Sequence, residues 1–162
     1  MAAWDERPLE IANLLNPAFC ALLLRDAAAG YRQQAASGLP YSVTFLVLPI
    51  VLHRPTREAL PRTINAIMHA WIQEHSARQV EIVDRVRMLV PYTREAIIFG
   101  IQHRALAIVE NGALESAMLR ATMSFPDRTD AMTCRHAAGL LGRWFGRTGD
   151  ASQILAMWGL RP

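Results

Sequence analysis

The sequence predicts a mainly α-helical, compact single domain over residues 1–162, and three observations carry the prediction. Apolar residues recur at helical spacing along most of the chain. Proline- and glycine-bearing connections cut that pattern into short segments. Only one place, around Asn111-Gly112, carries a strong hairpin signal. With 52% hydrophobic and 19% charged residues, the chain also lies on the apolar side of the globular range, far from disordered compositions.

Between Leu9 and Ala36, the residues Ile11, Leu14, Leu15, Phe19, Leu22 and Leu23 predict two helices or one bent helix, with Pro17 in a first turn after Asn16. Gly38-Leu39-Pro40 ends that pattern, and Ser42 is expected to cap the next element. The run Val43–Leu52 is β-branched enough for a strand. Pro49 would delete a ladder hydrogen bond, however, so a buried, kinked helix is expected. Thr56 is expected to cap a short helix from Arg57 to Leu60, stopped by Pro61. Ile64, Ile67, Met68, Trp71 and Ile72 form a clean i, i+3, i+4, i+7, i+8 stripe and predict another helix.

The next elements are a helix from Ala77 to Leu89, a tight connection at Pro91-Tyr92 and a helix capped by Thr93 and running to His103. Ala105–Val109 and Ala113–Ala117 then flank Asn111-Gly112, the two-residue hairpin signature. Helix, turn, helix, hairpin is the order of a winged helix, so residues 76–118 are expected to form a winged-helix-like unit. Ser124 to Asp127 reads as a loop. The C-terminal helices are expected within 128–159: one from Arg128 to Phe145, and a last one opened by Asp150 with Gln153 and closed by Gly159. Pro55–Leu60 echoes Tyr92–Ile97, as either two related helical units or simply two capped helix starts would.

Enzyme chemistry is not expected. His53, His69, His75, His103 and His136 have no zinc-site spacing, and His69 and His75 fall on different faces of a helix. No nucleophile elbow, P-loop or dinucleotide fingerprint occurs, and Gly139 and Gly142 fit close helix packing better than phosphate binding. Glu58 and Glu95 sit where helix starts favour acids. No metal and no cofactor are therefore expected. Cys20 and Cys134, far apart in apolar stretches, read as buried free thiols of a reducing cytoplasm. The polar N-terminus lacks the apolar core of a signal peptide, and Val43–Leu52 is about half the length needed to span a bilayer. A cytoplasmic protein with no membrane association is expected.

What remains is binding. All 17 basic residues are arginine, and the formal net charge is +3. Arg135, Arg143 and Arg147 fall on one helical stripe, a basic ridge suited to phosphates or an acidic partner, or else a solvated face whose last two arginines complement the helix C-terminus. Arg94 and Arg104 occupy or adjoin the recognition-helix position of the expected winged helix. Trp4, Phe19, Trp144, Phe145 and Trp158 are candidate apolar interface anchors.

Five strings add a resemblance: Asn13–Phe19, Thr56–Pro61, Leu89–Ala96, Leu141–Phe145 and the terminal Trp158–Pro162. In this order, and over nearly the whole chain, they resemble the middle component of bacterial three-component ABC systems. The resemblance implies a small non-catalytic adaptor working with an ABC ATPase similar to the SMC and Rad50 group and with a third component, against invading DNA. It transfers no catalytic residue. Contact with double-stranded DNA through the complex and a homodimer both fit this reading. The competing expectation is a free-standing winged-helix DNA-binding regulator.

Overall fold

Asn16 starts the first helix of the computed structural model, in which residue 8, residues 15–117, residue 126 and residues 129–160 are described. Its Oδ1 accepts from the Ala18 and Phe19 amides at 2.9 and 3.2 Å, and Pro17 takes the first turn of α1, Pro17–Arg32. Apart from Leu15, which is buried in the core, the segment predicted from Leu9 up to Asn16 lies outside the described residues.

Helix α2, Tyr41–Leu52, answers the strand-or-helix question in favour of a helix with Pro49 inside it. Nine of its residues are buried, on all sides, which explains why the run shows no polar face. Ser42 does not cap it. The N-cap is Pro40, whose carbonyl oxygen accepts from the Thr44 amide and hydroxyl, each at 3.1 Å, so the helix opens earlier than expected. Helix α3, Arg54–Ala59, corrects the next cap in the same way: it begins at His53, and Thr56 lies within it, fully buried, with Oγ1 2.7 Å from His53 Nδ1.

The stripe starting at Ile64 becomes helical only from Met68, in α4, Met68–Glu74. The Ala66 carbonyl is engaged by Trp144 Nε1 at 2.7 Å, a contact with a residue 78 positions away that holds the preceding segment out of the helix.

Helix α5, Ser76–Gln102, departs furthest from expectation, because it runs without a break through Pro91. Pro91 is exposed, so the helical hydrogen bond it cannot make faces water, while Thr93 points into the core and caps nothing. The expected helix-turn-helix has no turn, and the echo between Thr56 and Thr93 does not mark two helix starts. The hairpin does form: β1, Leu106–Ile108, pairs antiparallel with β2, Leu114–Ser116, with Ile108 opposite Leu114. Five residues, 109–113, connect the strands, three of them inside a closing pair of Val109 and Ala113, so the turn is longer than the two residues expected. The Val109 amide reaches Ala113 O at 3.0 Å, the Gly112 amide reaches Val109 O at 2.8 Å, and Gly112 takes φ +76°. Leu39 bridges to Leu114 on the other side of β2.

Helix α6, Asp130–Thr148, is capped by Thr129, and α7, Ala151–Met157, by Asp150, whose carboxylate accepts from the Gln153 amide at 2.9 Å. Gly159 closes α7 at φ +74°. Apart from Pro126, the predicted loop Ser124–Asp127 lies outside the described residues.

The core forms where α1 and α2 pack between α5 and α6. Helices α1 and α6 approach backbone to backbone: a Cβ on Gly142 would meet the Ala27 carbonyl, and one on Gly30 the Gly139 carbonyl. Beside this crossing, Trp71 packs edge-on to Trp144 at 5.6 Å and at a tilt to Trp158 at 6.0 Å. Trp144, Phe145 and Trp158 are at most 1% exposed, which corrects their reading as interface anchors. They are core residues, and Phe19 is half-buried against the same core. Trp4 lies outside the described residues.

Candidate functional site

Helix α6 separates the three arginines of the expected ridge into two kinds. Arg135 is committed to the fold: its guanidinium binds Asp26 of α1 through Nε at 2.6 Å and Nη2 at 3.2 Å. That bidentate contact pushes the pKa of Arg135 up and fixes the α1–α6 register. Arg143 and Arg147, one turn apart, have no carboxylate partner among the described residues.

Each of the two lines its own groove. Arg143 is half-buried between α1 and α6, in a groove also lined by Gln33, Met132, His136 and the Asp26–Arg135 pair. Arg147 is exposed at the edge of a second groove walled by Ile64, Ile67, His69 and Met157. Ile67 is 73% exposed, a large apolar side chain in the same groove as a cation with no carboxylate partner among the described residues. Each groove sets a guanidinium near an imidazole, Arg143 with His136 and Arg147 with His69, and the second adds the apolar ledge of Ile67, a set that suits an acidic surface carrying one or two apolar side chains.

The sequence singles out Arg143 and Arg147 but not His136 and Ile67, which line the same two grooves. His136 lies seven residues before Arg143, so projecting the helix would have placed them together. Ile67 was hidden by falling on an apolar stripe that its own backbone does not follow. Arg94 and Arg104 do not join this site: Arg94 is exposed on α5, and Arg104, at φ 57°, turns the chain from α5 into β1.

The buried polar groups elsewhere serve the fold. Arg57 donates to the Val51 carbonyl at 2.8 Å and to Asp130 at 2.5 Å, tying the end of α2 to the start of α6. Both cysteines are free and buried. Burial, with Glu95 adding a smaller push, raises the Cys20 thiol to about 12. At pH 8 only ~1 in 10⁴ Cys20 thiols is then ionised, so Cys20 is expected to resist a disulfide-exchange reagent in the folded protein and to react on unfolding. Native-state labelling as fast as that of a free thiol would contradict its placement.

Among the described residues no group of three His, Cys, Asp or Glu side chains could hold a metal ion, and no helix is long and apolar enough to cross a membrane. No curated protein matches the chain, and no solved structure does. A family model does match, over residues 4–162, and by it the chain belongs to the family described as ABC-three component system Middle Component 3.

Proposed function

We propose that this protein is a non-catalytic cytoplasmic adaptor that bridges an SMC/Rad50-like ABC ATPase and the third component of a bacterial system directed against invading DNA. Family membership supplies the setting: a middle component belongs to an assembly with other proteins. The observation that carries the adaptor reading is the pair Arg143 and Arg147 on α6, without a carboxylate partner among the described residues, Arg147 sharing its groove with the exposed Ile67, while Trp144 and Phe145 of that helix are in the core. An isolated fold gains nothing from a half-buried arginine without a counter-charge. An acidic partner supplies one.

The test is co-expression with the neighbouring system components followed by pull-down, comparing wild type with R143E/R147E. The double reversal is expected to reduce recovery of the partner at least ~10-fold, the scale of losing two interfacial ion pairs. Helical content by circular dichroism should stay the same. Undiminished recovery removes α6 from the interface. The rival reading, a free-standing winged-helix regulator, loses the turn at Pro91 on which it rested. It predicts that the purified protein alone shifts duplex DNA in a gel, with steep salt dependence.

A further inference from the structure

Helix α5 carries an outward face that the core does not use. Along it, Val80, Asp84, Arg87, Pro91, Arg94 and Ile98 follow one another at alternating spacings of four and three residues, the seam pattern of a helix that pairs with another helix. All six are exposed; Val80 and Ile98, at its two ends, are 65% and 57% so.

We infer that this face pairs with the same face of a second copy of the chain, antiparallel, about a two-fold axis passing near residue 89. The seam is self-complementary. Reversed on itself in that register, Val80 meets Ile98, Asp84 meets Arg94 and Arg87 meets Pro91, so apolar ends cover apolar ends and each acid faces a base. Helical geometry makes the contact about 27 Å long. Other pairings are worse. A parallel pairing sets Asp84, Arg87 and Arg94 each against its own copy, and like charges in register repel. Sliding the antiparallel pair one heptad toward the C-terminus places Arg87 on Ile98, and sliding it the other way leaves Ile98 without a partner. Asp84 and Arg87 already touch at 3.2 Å within the helix, so one pair of each copy's charges is pre-oriented along the seam. Among the described residues Arg94 has no such neighbour.

Sedimentation analysis of the full chain over a wide dilution series tests the inference. Wild type is expected to show a reversible monomer–dimer equilibrium. D84R and R94D, each of which sets like charges against one another, are each expected to raise the dissociation constant at least ~10-fold. The double variant D84R/R94D restores the dimer, and so does an equimolar mixture of the two single variants, which can pair only with each other. Both substitutions are at exposed positions, so loss of folding does not confound them. A wild type that stays monomeric throughout overturns the inference. So does a dimer indifferent to both single reversals, or one that neither the double variant nor the mixture restores. None of these outcomes bears on Arg143 and Arg147, which lie on α6.

Discussion

Gly142→Ala is expected to lower stability by about 3 kcal/mol, seen as a fall in Tm of ~6–12 °C by circular dichroism. The usual expectation runs the other way, because alanine favours a helix interior over glycine by about 1 kcal/mol. Packing decides the sign. A Cβ on Gly142 would overlap the carbonyl group of Ala27, which is backbone of α1 and cannot rotate aside as a side chain could. The helices must separate, and the separation is felt at Gly30 over Gly139, at Gly146 over the Tyr31 carbonyl, and at the Asp26–Arg135 pair. Gly112→Ala is the control: nothing lies within 4 Å of its would-be Cβ, so only the strain of its φ of +76° is at stake, ~1 kcal/mol. If Gly142→Ala is as stable as wild type, the close crossing of α1 and α6 is not present in solution.

What the sequence revealed and what it concealed divide along one physical line. Signals satisfied within a few residues were legible. Asn16 and Asp150 accept amides two or three positions on, Gly112 supplies the positive φ its turn requires, and Gly142 announces a close approach, whereas a Cβ on Gly139 would make only ordinary contacts. Signals that depend on distant parts of the chain were not. Thr93 was a reasonable cap until burial placed it against the core, and Pro91 a reasonable break until its solvent exposure let α5 pass through it. Arg135 resembled its neighbours on the ridge because its partner, Asp26, lies 109 residues away. Trp144 and Trp158 read as interface anchors because aromatic residues serve cores and interfaces alike, and only the packing around Trp71 distinguishes the two.

The same packing bears on assembly. Because α1 and α2 intervene between α5 and α6, pairing through the outward face of α5 leaves Arg143 and Arg147 uncovered on each copy. A dimer built that way presents two equivalent arginine sites on opposite sides of its axis, the arrangement needed to engage a two-fold partner at both ends.

Asp130→Ala is expected to cost about 3 kcal/mol, although Asp130 is one of the more exposed acids in the structure, its side chain 74% accessible. Exposed ion pairs are ordinarily worth no more than ~1 kcal/mol, and removal of Asp84 from its pair with Arg87 should fall in that range. The difference lies in the other partner. Arg57 is only 4% exposed, it spans from the Val51 carbonyl at the end of α2 to Asp130 at the start of α6, and its Nε has no acceptor. Taking away Asp130 leaves a buried guanidinium with one carbonyl to offset its lost hydration; it also removes the acid from the first turn of α6. Arg57→Met, which removes the charge while keeping much of the bulk, should cost less, ~1–2 kcal/mol, chiefly for the stranded Val51 carbonyl. In the Arg57→Met background, Asp130→Ala should then cost little. Urea unfolding of the two single variants and the double variant measures the coupling directly. Additive losses, or an Asp130→Ala variant no less stable than Asp84→Ala, would mean that Arg57 reaches water in solution and that the start of α6 is not held by this contact.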